Sequence, residues 1–171
     1  MNMTYQMRAY RYLRVLFNYV RDWTYWQDVE IAADKVYYDT GEQAEVTSGS
    51  SRMVIVGKDF VIKWDYDFEN IEEIGGCEDE FRVYKRSLSS GYSYLLAPVF
   101  RIYHRNRYFF IMPRINRIGP EEHDHKDIQE FISEDEYDWL RDNIGDLHGW
   151  NWGLDEFNNP IVIDYACRPS E

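Results

Sequence analysis

The sequence predicts an α+β fold built around an antiparallel sheet. Strand-like runs cluster in the middle of the chain, and helical patterns flank that cluster instead of alternating with it. Alternation of strands and helices is typical of parallel sheets, so its absence favours the α+β class. A third observation agrees: Gly57, Lys58 and Asp59 separate two apolar runs, as the turn of an antiparallel hairpin does.

Length and composition predict a globular protein with one domain or two small lobes. The chain has 171 residues, and 44% of them are apolar, which is enough for a core. Cys77 and Cys167 are too few for a disulfide framework and form no CxxC motif, so we expect reduced thiols and a cytoplasmic location. No apolar run approaches the ~20 residues of a membrane span, and the arginine-bearing start is not typical of a signal peptide.

The net charge of −12 argues against nucleic acid as a ligand, because phosphates would be repelled. The charge is uneven. Residues 1–22 hold four arginines and one aspartate, a net charge of +3, which leaves −15 for the remaining residues. Two explanations are open: a helix that docks on a partner or a lipid surface, or a helix that packs on the acidic body of its own chain.

The first part of the chain is predicted as one long helix followed by short strands. Over residues 5–30, apolar residues recur at spacings of three and four, and neither Pro nor Gly interrupts them. Residues 35–40, KVYYDT, are predicted as a strand, and 41–46 as a second one. TSGSS, which follows, has the composition of a turn.

The middle of the chain predicts two pairs of strands with a helix between them. RMVIVG and DFVIKWDY form the first pair, and LLAPVFRIYH and RYFFIMPRI form the second around a His-Arg-Asn turn. Between the pairs, ENIEEIGG is predicted as a loop, and CEDEFRVYKRSLSS as a helix. The packing face of that helix is predicted from Phe81, Tyr84 and Leu88.

The last part of the chain is predicted as loop, helix, loop and strand. INRIGPEEHDHKD is a polar loop, and Ser133 with Glu136 forms a capping box that opens the helix EDEYDWLRDNI. The loop GDLHGWNWG follows, and the short apolar run PIVIDYA predicts a final strand.

Three polar residues near the end of the chain carry the functional signal. Asp146 and Asn151 are five residues apart, and Asp164 follows thirteen later, after Ile-Val-Ile. This pattern resembles the catalytic loop and the metal-binding aspartate of the protein-kinase-like fold. The form Asp-Leu-His-x-x-Asn is similar to kinases of the aminoglycoside-phosphotransferase type and to small serine/threonine kinases encoded by phages, which also carry a histidine at the position of His148.

The resemblance implies a role for each of these residues. Asp146 would orient the acceptor hydroxyl and take its proton, and His148 would reach the transferring phosphate. Asn151 and Asp164 would bind Mg²⁺ through oxygen, the ligand atom that this ion prefers. Each residue alone has an ordinary structural explanation, since Asn151 could cap a turn and Asp164 could end a strand.

The remaining parts of a nucleotide site occur in the expected order along the chain. Lys63 matches the strand lysine that pairs with the α- and β-phosphates of ATP, and strand alternation places Val61 on its face, where it would cover the adenine. Glu80 matches the helical partner of that lysine, with Glu78 as its competitor. Gly49, Ser50 and Ser51 match the loop that covers the phosphates, although only one residue of this loop is glycine. Met112 matches the position just before the hinge between the lobes.

The resemblance, which covers about residues 40–171, implies a kinase-like N-lobe over 35–115 and a reduced C-lobe over 116–171. An extra basic N-terminal helix over 1–34 precedes them. The expected function is ATP- and Mg²⁺-dependent transfer of a phosphoryl group to a Ser or Thr hydroxyl of a protein, in a phage-encoded enzyme acting on a host protein. Ile144 and Gly145 depart from the usual His and Arg of the family, and Asp-Tyr-Ala replaces Asp-Phe-Gly.

A second hypothesis assigns the chain to a different class. A small, acidic, aromatic-rich protein with a basic N-terminal helix could be an inactive kinase-like binding protein, for example a phage inhibitor of a host enzyme. Its carboxylates could then imitate the phosphates of a nucleic acid. Binding of MgATP distinguishes the two hypotheses.

Overall fold

The computed structural model describes residues 4–48, 52–66, 76–117, 127–144, 147 and 151–165. The chain folds as two compact units: unit 1 comprises residues 1–71 and 100–114, and unit 2 comprises residues 72–99 and 115–171. The described part contains four α-helices and antiparallel sheets, which confirms the α+β class. The division into functional lobes at residues 35–115 and 116–171 stays a prediction.

The described residues of unit 1 form a five-stranded antiparallel sheet with two helices packed on one face. The strands lie in the order β1-β2-β3-β5-β4. The helices pack on the sheet through an apolar core that includes Leu13, Val36 and Trp64. The elements of this unit are α1 (Tyr5–Leu16), α2 (Trp26–Thr40), β1 (Glu45–Ser48), β2 (Arg52–Val56), β3 (Phe60–Asp65), β4 (Phe100–His104) and β5 (Arg107–Pro113).

The predicted helix over 5–30 is wrong, because the chain leaves the helix after Leu16 and re-enters one at Trp26. Tertiary packing ends the first helix without a Pro or Gly. The ring of Trp23 lies 5.4 Å from that of Trp64, whose indole N–H donates to the Trp23 carbonyl at 2.9 Å. Asp22 accepts hydrogen bonds from the backbone N–H and hydroxyl of Thr24, which stabilise the turn.

The predicted strand KVYYDT is also wrong, because these residues form the last part of α2. Val36 is buried at helical spacing from Val29, Ala32 and Ala33, so packing outweighs the strand preference of Val and Tyr. Gly41 ends the helix with φ of 71°, and its N–H donates to the Tyr37 carbonyl at 2.8 Å. β1 occupies the end of the second predicted strand and the start of the predicted turn.

The hairpin predictions in unit 1 are confirmed. Val56 pairs with Val61 across the turn between β2 and β3, and the Gly57 N–H donates to the Phe60 carbonyl at 2.9 Å. A Cβ on Gly57 would lie 2.3 Å from the Phe60 ring, which explains the glycine. β4 and β5 join at Arg105 and Asn106, both with positive φ, as a two-residue hairpin turn requires. The predicted strand over 95–104 begins only at Phe100.

Among its described residues, unit 2 contains two α-helices and a small antiparallel sheet with the order β6-β7-β8. The predicted capping box of Ser133 and Glu136 is present at the start of α4. Its elements are α3 (Cys77–Ser90), β6 (Asn116–Arg117), α4 (Glu134–Asn143), β7 (Trp152–Leu154) and β8 (Pro160–Val162), with short 3-10 turns at Ser93–Leu95 and Ile128–Glu130. β7 lies in the predicted loop over 145–153, and β6 in the predicted loop over 115–127.

The bounds of α3 match the prediction, but its packing face does not. Cys77, Glu80, Val83 and Ser87 are buried, whereas Leu88 is exposed. The buried face contains a carboxylate and a hydroxyl, so a reading of apolar spacing places the face incorrectly. No helix in the described ranges combines the length and apolarity needed to cross a bilayer.

Candidate functional site

In unit 1, the sheet register brings together three of the predicted nucleotide-site residues. Val61 on β3 pairs directly with Met112 on β5, and Lys63 is two residues along β3. Directly paired residues and alternate residues of one strand share a face, so Val61, Lys63 and Met112 lie on one face of the sheet. Phe60, Ile62 and Trp64 lie on the opposite face, in the core with the helices. The alternation predicted for β3 is therefore confirmed.

Lys63 occupies the central strand and is buried, with 7% of its surface exposed. Its neighbours across the strands are Val54 on β2 and Phe110 on β5. A buried ammonium group is costly unless it is paired, so its burial alone does not assign Lys63 to a ligand. The role of Lys63 toward phosphate stays a prediction.

The turn before β3 is held by two arginines of the same unit. The Arg114 N–H donates to the Asp59 carbonyl at 3.0 Å, and its guanidinium donates to the Gly57 carbonyl at 3.0 Å. Arg8 on α1 forms an ion pair with the Asp59 carboxylate. These contacts fix the start of the strand that carries Val61 and Lys63.

In unit 2, the backbone places the two predicted metal ligands side by side. The Asn151 carbonyl accepts hydrogen bonds from the backbone N–H of Ile163 at 2.7 Å and of Asp164 at 3.3 Å. The β7–β8 register continues into this contact, since Trp152 pairs with Val162. Both residues are half-buried. The backbone thus brings the two predicted ligands together at one end of a hairpin.

The other end of this hairpin is closed by a hydrogen-bonded loop. The Asp155 carboxylate accepts from the backbone N–H of Phe157 and Asn159, both at 2.8 Å, and from the Asn159 amide at 3.0 Å. The bond from the Asn159 side chain is the main cause that lowers the pKa of Asp155, with the two backbone bonds adding to it. Asn158 turns the chain with φ of 65°. The loop sets the register that brings Asn151 to Asp164.

Asp164 lies between two anchored residues. Before it, the Val162 carbonyl accepts from the Ala97 N–H at 2.9 Å. After it, Tyr165 is completely buried, and its hydroxyl donates to the Ala97 carbonyl at 2.6 Å. The segment beside Ala97 thus holds the chain on both sides of the candidate ligand, which limits the positions that Asp164 can adopt.

The two glutamates proposed as partners of a lysine differ in their surroundings. Glu80 is completely buried on α3. Glu78 is partly exposed, and the Arg82 guanidinium lies 4.0 Å from its carboxylate and 3.5 Å from that of Asp79. The carboxylates in the first turn of α3 also interact favourably with the helix dipole. The pairing of Glu80 with Lys63 stays a prediction.

The described part of the chain holds no cluster of side chains that would form a full protein cage around a metal ion. Among the residues that the structure describes, no group of three or more His, Cys, Asp and Glu side chains is arranged to hold a metal ion. Mg²⁺ usually takes one or two protein oxygens and completes its shell with water and substrate phosphates. Asp164 and Asn151 would supply one carboxylate and one amide oxygen, and their binding of Mg²⁺ stays a prediction.

Five predicted site residues lie outside the described part of the chain: Asp146, His148, Gly49, Ser50 and Ser51. Sequence reasoning missed the residues that support the site, namely Ala97, Asp155 and Tyr165. The Asp155–Asn159 loop had a detectable signal, since the run Asn158-Asn159-Pro160 is typical of a turn. Nothing near Ala97 in the sequence indicates that its carbonyl accepts the Tyr165 hydroxyl.

No family model and no curated protein matches the chain. Among solved structures, the chain is similar to WbdD in its co-crystal structure with the kinase inhibitor LY294002, at 14% sequence identity and a TM-score of 0.39. The match covers 70% of this chain and 31% of that chain, so the present chain spans less than a third of the length of WbdD. A TM-score this low does not establish a shared fold, and the kinase-like resemblance continues to rest on the sequence motifs.

Proposed function

We propose that this chain binds MgATP and transfers the γ-phosphoryl group to a Ser or Thr hydroxyl of a protein. The observation that carries the proposal is the hydrogen bonding of the Asn151 carbonyl to the N–H groups of both Ile163 and Asp164. This contact joins two motifs that are thirteen residues apart in sequence, and it supports their use as one pair of oxygen ligands.

Unit 1 supports the proposal through its register. Val61 and Met112 offer apolar side chains for the adenine ring, and Lys63, on the same face of the sheet, offers a cation for phosphate oxygens. Apolar and cationic groups arranged along one strand suit a ligand with a flat apolar end and an anionic end. In unit 2, Asn151 and Asp164 would hold Mg²⁺, which, when bound, would neutralise the phosphates.

Asp146 would act on the acceptor. Its carboxylate would orient the attacking hydroxyl and accept the proton as the new phosphorus–oxygen bond forms. The bond between the γ-phosphorus and the bridging oxygen breaks in the same transfer, and ADP leaves with the electron pair. Lys63 would hold the remaining phosphates in place, so the groups of the chain mainly position reactants and stabilise charge.

The test combines calorimetry with MgATP and transfer of labelled phosphate to proteins of a cell lysate. Asp164→Asn should weaken MgATP binding about tenfold or more, because it removes the charged metal ligand, while Glu156→Gln, an exposed carboxylate change on the same hairpin, should leave it unchanged. Asp146→Asn should keep MgATP affinity and reduce transfer by about 10²–10⁴-fold. Absence of MgATP binding by the unmodified protein would contradict the proposal. Binding without transfer would assign the chain to the inactive binding proteins.

A further inference from the structure

A cavity of about 170 Å³ lies within unit 1, beside α1 and the end of α2. We propose that this cavity binds a small carboxylate whose α-carbon, the atom bonded to the carboxylate group, carries a hydroxyl or amino group. Such ligands are small α-hydroxy acids and α-amino acids. The proposal is independent of the nucleotide site, since none of the residues argued for MgATP lines the cavity. Its lining residues are Arg8, Arg11, Tyr12, Thr40 and Glu42.

Tyr12 provides the main observation. Only 2% of its surface is exposed, and its hydroxyl has no hydrogen-bond partner among the residues that the structure describes. The ring is held by the core, with its centroid 5.6 Å from that of Phe60. A buried hydroxyl without a partner is costly, so an acceptor atom in the cavity would remove that cost.

The hydroxyl of Tyr12 is a donor under ordinary conditions. Burial raises the pKa of Tyr12 well above its usual range, and the nearby carboxylates of Asp34 and Glu42 raise it further. The phenol therefore keeps its proton. An oxyanion of a ligand, which accepts hydrogen bonds, is the group that this hydroxyl can bind.

Two arginines add further donors to the same lining. One terminal nitrogen of the Arg8 guanidinium forms an ion pair with the Asp59 carboxylate. The buried Nε of Arg8 has no hydrogen-bond partner in the described part of the chain. Arg11 lies one turn further along α1 and is exposed, and its guanidinium adds further N–H donors. Together with Tyr12, these groups give the lining the hydrogen-bond donors and the positive charge that a carboxylate requires.

Glu42 restricts the ligand further. Its position is held by its backbone N–H, which donates to the Thr40 hydroxyl at 3.1 Å, while that hydroxyl donates to the Val36 carbonyl at 2.7 Å. A carboxylate in the lining repels a dianion such as phosphate and accepts a hydrogen bond from a hydroxyl or an ammonium group. The lining therefore favours a monocarboxylate that also carries a donor.

The volume limits the size of the ligand. A cavity of about 150 Å³ holds a molecule the size of benzene, so a cavity of this size suits a ligand of similar size. Lactate and alanine share the required chemistry and fit that limit. They represent the two possible sources, a hydroxy acid and an amino acid, and are tested separately.

The experiment follows backbone amide signals by two-dimensional NMR while the full chain is titrated with lactate, alanine, acetate and inorganic phosphate. We expect lactate or alanine to shift the signals of Tyr12, Thr40 and Glu42 in a saturable way, and acetate and phosphate to bind about tenfold more weakly or less. Tyr12→Phe, which removes only the hydroxyl, should weaken binding about tenfold. Arg14→Gln, an exposed change on the same helix outside the lining, should not.

Two results would overturn the proposal: none of the four probes producing saturable shifts at these residues, or lactate and alanine binding Tyr12→Phe as tightly as the unmodified protein. Either result would mean that only water occupies the cavity or that binding occurs elsewhere. If Tyr12→Phe does not fold, Arg11→Gln decides, because Arg11 is exposed and its loss should weaken carboxylate binding while Arg14→Gln does not.

Discussion

In unit 1, Val61 and Lys63 lie on the central strand of a five-stranded sheet whose other face packs on α1 and α2. In unit 2, Asn151 and Asp164 lie at the end of a hairpin whose strands are three residues long. The first pair is positioned by strand register over an apolar core. The second pair is positioned by a few hydrogen bonds, from Ile163 and Asp164 to Asn151 and from Tyr165 to Ala97.

This difference predicts different responses to mutation. A strand with neighbours on both sides keeps its register unless its core packing is altered, because a slip by one residue would turn every side chain to the wrong face. A short hairpin has fewer neighbouring strands and less core packing to keep its register. The loss of one buried hydrogen bond should therefore lower the local stability of its end. The candidate residues of unit 1 should thus respond to packing changes, and those of unit 2 to single polar changes.

The largest effect is expected from Gly57→Ala in unit 1. The added Cβ would overlap the Phe60 ring, and Phe60 cannot move freely because it is buried against Tyr12. We expect a loss of about 1–3 kcal/mol in the free energy of unfolding, as is usual for overpacking. Urea denaturation measures this loss.

Lys58→Ala is the matched control, since Lys58 is exposed in the same turn. Its free energy of unfolding should change by less than about 0.5 kcal/mol. If Gly57→Ala is as stable as this control, the close approach of Phe60 to Gly57 does not stabilise the hairpin. That result would contradict the expectation that unit 1 responds to packing changes.

A smaller and more local effect is expected from Tyr165→Phe in unit 2. The change leaves the buried Ala97 carbonyl without the 2.6 Å hydrogen bond from the Tyr165 hydroxyl and should cost about 1–2 kcal/mol. Hydrogen exchange should accelerate at the Ile163 and Asp164 amides, which bind Asn151, and not at the amides of β3. Tyr137→Phe on α4 is the control. Uniform acceleration over both units would show that the anchor is not local.

The hairpins of unit 1 could be predicted because their signals are local. Gly57-Lys58-Asp59 and Arg105-Asn106 are turn sequences, and the strand-forming residues of β3 lie directly after the first of them. The same holds for the capping box at Ser133, where two residues three apart bond to each other's backbone. A pattern of this kind needs no knowledge of the rest of the fold.

The errors arose where distant residues decide the local structure. The first helix ends because Trp23 packs on Trp64 and Phe109, which lie far away in sequence. The packing face of α3 includes the polar residues Glu80 and Ser87. The spacing of apolar residues therefore does not identify this face. A motif predicts Asn151 and Asp164 as metal ligands, which stays a prediction, and the support that Ala97 gives to this segment has no local sequence signal.

The smallest predicted effect concerns a polar contact on the surface of unit 2 and its dependence on pH. Tyr94 donates a hydrogen bond to the Glu136 carboxylate, which raises the pKa of Tyr94 to about 12 and lowers that of Glu136. A raised pKa means that the folded state retains the proton, so this stabilisation is present below pH 10.0, the usual tyrosine value, and is lost as the pH rises toward about 12. For Glu136, the lowered pKa gives stabilisation that is present above pH 4.5, the usual glutamate value, and is lost as the pH falls below it.

Tyr94→Phe should abolish the alkaline loss that this contact causes and reduce the acid loss without removing it, because Ser133 still donates two hydrogen bonds to Glu136. Chemical denaturation across this pH range, with Tyr137→Phe as the control, measures both limbs. An alkaline limb that is identical in Tyr94→Phe and in the control would show that the contact does not contribute to the stability of unit 2.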